Sequence, residues 1–488
     1  MIPVVTPAGT DDDVLIPLSA MDAVMNTYRI VLLYIYPPPA SNAAPYDLDK
    51  LRRSFVTLVD EDYPVLVGAL HVDQKTSAVR VKQTPLERQR GGRGIRFEPN
   101  QGSAQTTEKA IVSLSWEFMP KPRAQGEIIA VKGSILMDGG MAIGVDCSHV
   151  LFDGEAMLTF MRAWGQHYSG VSKQDRLVIN HDRHLLSGTG QAPRLLHPEF
   201  QIAPVERLIR RKDGSLAPKA VATSPQTAEH VFHLSPVNMA KLKKLAGRVP
   251  ESEKSRRSRR KRERFLAKLL SIFRSNDKKV VQAQAASRPP YVSTLDAVTA
   301  LFVILISQAR GHAKDVRVST AVNGRNRLEP PLPANYSGNA VFHAISSYSN
   351  EELRVKGDSC NVVAASTLSR VARGVRASIL ARDNAFMRDT IAFVANQRDP
   401  TSINDNVNFF FGPDVAFTCW ANMGLYDAEF AGVTPWYAKI PRVPCMDGFA
   451  LVTEAVRGGD GLDVLVCLEA NAMEKLKELS VHVEYFKP

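Results

Sequence analysis

Cysteine is scarce and poorly placed for cross-linking. The five residues, Cys147, Cys360, Cys419, Cys445 and Cys467, are odd in number and widely scattered. They form no CxxC pair and no zinc-ligand spacing, which excludes a disulfide scaffold or a structural zinc module and fits a reduced compartment. Long apolar runs are also missing. The two most apolar stretches, Ile30 to Tyr36 and Ala300 to Ile306, fall far short of the roughly 20 residues that span a bilayer. Where a signal peptide would carry basic residues and an apolar run, the chain has Asp11, Asp12 and Asp13, so a cytoplasmic location is expected. What is present is apolar mass: 44% of 488 residues are hydrophobic, enough for the cores of two or three ordinary domains.

The net charge of +11 suggests a nucleic-acid partner until it is located. Between Glu251 and Lys279 stand twelve Lys or Arg and four Asp or Glu, a net +8, so the rest of the chain carries only +3. A basic patch confined to one segment gives no reason to expect nucleic-acid binding by the body. Inside that segment Phe265, Leu266, Leu269, Leu270, Ile272 and Phe273 form one apolar helical face flanked by basic residues. Such a face can touch a membrane surface or a calmodulin-like partner weakly, while the like-charged block favours a solvated, disordered insertion.

Along the chain, short apolar runs alternate with amphipathic stretches, which predicts a mixed α/β protein. We read an N-terminal half over residues 1–205, a Pro-rich crossover over 206–228 and a C-terminal half over 229–488, with a basic insertion at 248–288. Leu48, Leu51, Phe55, Leu58 and Val59 mark a helix, and Pro64 starts a new element. After the crossover come a strand, a helix opened by Ser235 and Pro236, and a buried helix capped by Ser293 or Thr294 that runs to Ile306. Strands are expected at 316–325, 339–347, 415–423, 448–456 and 462–470, then a closing helix at 471–479.

The chemistry concentrates in DCSHVLFDG, Asp146 to Gly154. It joins a strand ending near Ser148 to a helix whose apolar face is Met157, Phe160, Met161, Trp164 and Tyr168, with Gly170 as its stop. His149 falls in the connecting loop and Asp153 stands where an N-cap belongs. Taken alone, this can be a helix cap beside a core histidine. It can also be a general base, because an imidazole near pKa 6.5 takes a proton from a hydroxyl or amine at neutral pH. Asp153 would then hold the loop by capping or by pairing with a distant arginine, and Gly154 would leave room for substrate. Cys147 raises a Cys/His nucleophile pair, but residues two apart on a strand share a face without guaranteed contact. His181 and His184 could begin a metal site, yet no third ligand is in sight, so no metal is expected.

SHVLFDG resembles the HxxxDG signature of the BAHD acyltransferases, whose chloramphenicol-acetyltransferase-like fold moves an acyl group from coenzyme A. Four further stretches stand in matching order along the chain. IPLSAMDAVMNTYRIVLLYIYPPP is similar to the family's opening strand, and LRRSFVTLVDEDYPVLVGAL to its first helix and following loop. YVSTLDAVTALF resembles the helix after the crossover. TAVNGRNRLEPPLPANYSGNA resembles the arginine-bearing strand and Tyr-x-Gly-Asn loop. The second signature, Asp-Phe-Gly-Trp-Gly-Lys-Pro, lies on EFAGVTP, where Phe430 and Pro435 are kept, Glu429 replaces Asp and Gly432 replaces Trp. This divergence fits a fungal secondary-metabolism acetyltransferase branch. Condensation domains of peptide synthetases share the fold but usually place a second histidine where Ser148 stands.

The resemblance implies two halves joined by the crossover with an active-site channel between them, and His149 as general base without a covalent enzyme intermediate. It implies structural support from Asp153, Gly154, Arg325 and Glu429, with Arg325 pairing Asp153. Thr434, Trp436 and Asn422 are candidates for the substrate or coenzyme A channel. No cofactor is held permanently; acyl-CoA, by default acetyl-CoA, is the co-substrate of a monomeric enzyme acting on a small hydroxylated metabolite. N-acyl transfer to an amine and a catalytically silent binding protein of the same fold are the alternatives. Sedimentation with anionic lipid vesicles tests the basic segment. A solvated insertion predicts equal sedimentation of the full chain and a variant lacking residues 251–279, whereas retention of the full chain alone establishes membrane contact.

Overall fold

The strand Arg29–Tyr36, RIVLLYIY, is buried on both faces from Ile30 onward, as its unbroken run of β-formers requires. Leu32, Tyr34 and Tyr36 face the helices of the first half, whereas Val31, Leu33 and Ile35 face a separate apolar cluster that includes Leu451 and Leu465. This strand is the second of a five-stranded sheet in the order Tyr437–Lys439, Arg29–Tyr36, Met141–Ser148, Ile129–Ile135, Ile95–Asn100. The computed structural model describes residues 12–25, 28–73, 77–90, 94–202, 208–210, 216–218, 225–248, 291–354, 363–441 and 446–486. The basic segment 251–279 lies outside the described residues.

A six-stranded sheet forms the second half, in the order Thr227–Leu234, Leu462–Glu469, Phe449–Glu454, Val415–Cys419, Val316–Asn323, Val341–Tyr348. Its helical cover centres on Thr294–Arg310, which is buried nearly all round and touches the helices Pro236–Ala246, Ala365–Leu380 and Ala470–Val481. Ser293 and Asp296 close a capping box at its start and Gly311, at φ 64°, ends it. The helix therefore runs about one turn past the expected end at Ile306, because Ala309 is still core-facing and the left-handed stop comes only at Gly311. In the first half, Leu48–Asp62 is capped by Asp47 and packs Leu51, Phe55 and Leu58 against the helix Gly154–Ser169.

The mixed α/β class is what the structure shows, but the sheets do not divide at the crossover. Tyr437–Lys439 leaves the C-terminal half and pairs antiparallel with Arg29–Tyr36, placing Tyr437 opposite Ile35 and Lys439 opposite Leu33. Without it, a long apolar strand would present an open edge. A separate two-stranded sheet pairs Ile403–Asp405 with Phe200–Ile202. Ahead of the exchanged strand, the EFAGVTP segment docks on the first half. Phe430 is fully buried, with ring centroids 5.3 Å from Tyr36 and 5.4 Å from both Trp164 and Tyr168.

This docking predicts that Phe430→Ala costs about 3–5 kcal/mol by leaving a cavity among rigid rings. A lowered urea midpoint in equilibrium unfolding is the expected reading; an unchanged midpoint would show that the segment is not an anchor.

Candidate functional site

The strand Met141–Ser148 runs antiparallel to Arg29–Tyr36 with Ser148 opposite Arg29, so the next residue emerges at the sheet's end. There the His149 amide donates to the Tyr28 carbonyl at 3.2 Å. A tight turn follows, and Asp153 starts the helix Gly154–Ser169 by accepting from the Ala156 amide at 3.0 Å. The same carboxylate is gripped by Arg325 through two parallel bonds of 2.7 and 2.8 Å, and it also accepts from the Ala340 amide at 3.0 Å. Capping and arginine pairing, offered by the sequence as alternatives, occur together. Burial would raise the Asp153 pKa, but the Arg325 charge and these hydrogen bonds outweigh it and hold the carboxyl below its ordinary value.

His149 directs Nδ1 at the Asn339 Oδ1, 3.0 Å away. Asn339 is fully buried, and its Nδ2 lies 2.9 Å from Asp22 Oδ1, 2.8 Å from the His149 carbonyl and 3.0 Å from the Val150 carbonyl. Desolvation lowers the His149 pKa below 6.5, against smaller upward contributions from its own backbone, the Asp153 charge and the Asn339 hydrogen bond. A lowered pKa favours the neutral imidazole, and a neutral imidazole can take a proton.

His149, Asp153, Gly154 and Arg325 all line a cavity of about 270 Å³ bounded by both halves. Gly154 is required by close approach rather than by substrate space alone, since a Cβ there would stand 2.6 Å from the Trp420 Nε1. Trp420 is itself part of the lining. Thr434, Trp436 and Asn422 do not line it. Thr434 and Trp436 lie just ahead of Tyr437, which pairs with Ile35; that is six residues, or about 20 Å, along the strand from the His149 end. Trp436 instead lies under the Arg457 guanidinium, 4.1 Å from its ring centroid. Asn422 sits exposed in a turn at φ 63°, its amide bonded to Glu454. The Glu429 side chain is also exposed; its backbone carbonyl packs so closely on Gly165 that a Cβ there would approach to 2.1 Å.

The other sequence candidates resolve differently. Cys147 turns into the first-half core, and burial pushes its thiol well above the usual value, which removes it as a thiolate partner for His149. His181 hydrogen-bonds the Asp62 carbonyl and Ser337 Oγ, both at 2.7 Å, and burial lowers its pKa to about 4. Among the described residues no cluster of three or more His, Cys, Asp or Glu could hold a metal.

Several roles escaped the sequence reading. Asp22, Arg183 and Asn339 form one buried network, with Arg183 Nη1 2.9 Å from Asp22 Oδ1. The Ser19-x-x-Asp22 spacing was a readable capping box, but nothing in the sequence tied it to His149. Asp405, His343 and Tyr28 also line the cavity, with Asp405 carboxylate oxygens 3.5 Å from His343 Nε2 and from the Tyr28 hydroxyl. No local pattern marked them.

Comparison with known proteins places the chain in a family. A family model described as the transferase family matches residues 105–482. The hydroxycinnamoyl-CoA:5-hydroxyanthranilate N-hydroxycinnamoyltransferase of Avena sativa is 22% identical over 485 residues, covering 95% of each chain. Agmatine hydroxycinnamoyltransferase 1 of Oryza sativa subsp. japonica is 22% identical, covering 95% of this chain and 92% of its own. The F. graminearum TRI101 structure with coenzyme A and deoxynivalenol superposes with a TM-score of 0.69 at 15% identity, covering 95% of this chain and 97% of that one.

Replacing Asp153 with Asn would leave the Arg325 guanidinium buried without a counter-charge, at a cost of about 3–5 kcal/mol. We expect a lower thermal midpoint in calorimetry and weaker activity through a displaced His149; an unchanged midpoint with full activity would refute the role.

Proposed function

Because the chain belongs to the BAHD transferase family, we propose that it moves an acyl group from an acyl-CoA thioester to a hydroxyl of a small metabolite, with acetyl-CoA as the default donor. The observation that carries this reading is the position of His149, which lines a cavity bounded by both halves beside the Asp153–Arg325 pair. His149 takes the proton of the acceptor as its oxygen attacks the thioester carbonyl. The resulting imidazolium returns that proton to the departing thiolate of coenzyme A, and no acyl-enzyme forms. Asp153 acts as architecture, since its two oxygens are already occupied by Arg325 and two backbone amides. Gly154 lets Trp420 close one wall, and Glu429 supports the helix through its backbone.

A second reading, acylation of an amine, is favoured by one feature. Asp405 puts a carboxylate into the lining, 17% exposed, whose ion-pair partner among the described residues is His343 at 3.5 Å. Such a group can hold a cationic acceptor, and the Avena sativa relative above is an N-hydroxycinnamoyltransferase by name.

Purified protein incubated with acetyl-CoA or an aromatic acyl-CoA, a thiol-reactive dye and matched alcohols and amines tests the proposal. Thiol release with an acylated product identified by mass supports it; silence with every donor and acceptor favours a binding protein of the same fold. With a working acceptor, His149→Ala is expected to lower kcat by about 10² to 10⁴-fold. The acid limb of kcat/KM should fall below the ordinary histidine value of 6.5, because burial keeps His149 deprotonated to lower pH. An acid limb above 6.5 would contradict that assignment.

A further inference from the structure

Asn339 adjoins the proposed base, yet none of the roles assigned so far uses it. Its side chain is fully buried and has two chemically different ends. The end pointing away from the imidazole meets only acceptors: Asp22 Oδ1 at 2.9 Å, the His149 carbonyl at 2.8 Å and the Val150 carbonyl at 3.0 Å. An amide oxygen turned toward a carboxylate and two carbonyls would be repelled by all three, so the NH₂ must face them. That leaves Oδ1 opposite His149 Nδ1 at 3.0 Å. An amide oxygen only accepts, so Nδ1 must carry the hydrogen and Nε2 the lone pair.

Asp22 is what makes this orientation firm. It is fully buried at the third position of the short helix Ala20–Val24, and its Oδ2 accepts from the Ser19 amide at 2.9 Å and the Ser19 hydroxyl at 2.7 Å. Its Oδ1 accepts from Arg183 Nη1 at 2.9 Å and from the Asn339 backbone amide at 3.0 Å. Arg183 in turn reaches the Leu151 carbonyl at 3.1 Å, inside the His149 turn itself. The carboxylate is thus anchored from both halves and cannot rotate away from the amide.

We propose that Asn339, oriented by the buried Asp22 carboxylate, is a positioning residue that fixes the Nδ1–H tautomer of His149 and so points its basic Nε2 into the cavity. This rests on His149 being the base. The neutral amide orients the ring without bringing a second carboxylate against it, since Asp153 is already taken by Arg325. Two elements distant in sequence, the Ala20–Val24 helix and the loop before Val341–Tyr348, therefore set the chemistry of a third.

The tautomer can be read without any substrate. Histidine-selective ¹⁵N labelling and long-range ¹H–¹⁵N spectra of the full chain separate Nδ1–H from Nε2–H. Among the 11 histidines the His149 signals are those lost in His149→Gln. The wild type should show Nδ1–H, and Asn339→Ala should gain the Nε2–H form. With a working acceptor, Asn339→Ala should lose about 10²-fold in kcat with KM for the acyl donor within about twofold. A wild-type Nε2–H tautomer overturns the proposal whether or not the variants fold, and so does an alanine variant with unchanged tautomer and kcat. Full activity in His149→Ala would instead remove the base assignment, leaving the tautomer result intact.

Discussion

One buried carboxylate organises the site. Asp153 is 1% exposed and meets four donors: both terminal nitrogens of Arg325, the Ala156 amide at the head of its own helix, and the Ala340 amide from the other half of the chain. Burying two full charges is costly, and the attraction between them compensates only when geometry is good and the remaining donors are met. Here Arg325 also donates to the carbonyls of Tyr336 and Gly338, at 3.0 and 2.8 Å. The pair therefore pins the helix start, and with it the His149 turn, to the loop that carries Asn339. A displaced Arg325 would loosen the His149 turn and the Asn339 loop at once.

The two halves are locked by exchange as well as by contact. The strand Tyr437–Lys439 completes the first sheet, and between the sheets Leu33 and Ile35 pack in one cluster with Leu451 and Leu465. That apolar layer closes the space between the halves, so the cavity beside His149 stays open only where the lining side chains permit. Gly154 shows the tolerance involved: one methyl group there would collide with Trp420. The divergent EFAGVTP segment belongs to this framework, because Phe430 fills the aromatic cluster of the first half and lies with the exchanged strand rather than with the reacting groups.

Local features were legible in the sequence because they depend on near neighbours. The apolar face from Met157 to Tyr168, the Asp153 cap and the Gly170 stop follow from helix periodicity and terminus chemistry, and the observed helix agrees. The alternation before Ser148 marked a strand, and the structure ends it at that residue. The family resemblance added a partner 172 positions away, Arg325, which local physics could not supply. The positions of Thr434 and Trp436, outside the cavity lining, were hidden for a related reason. Thr434 and Trp436 are close in sequence to the second signature, but the register of the exchanged strand carries them to the far end of the sheet.

The sequence by itself determined the mixed α/β class, the strand–turn–helix holding His149 and the placement of most basic charge in one segment, because composition, periodicity and capping act over a few residues. Only the tertiary structure decided which nitrogen of His149 carries its hydrogen, that Asp22 stands behind Asn339, and that Asp405 rather than Thr434 faces the cavity. These features rest on contacts between residues up to 377 positions apart, and such contacts exist only after the C-terminal half has added a strand to the first sheet and the sheets have packed.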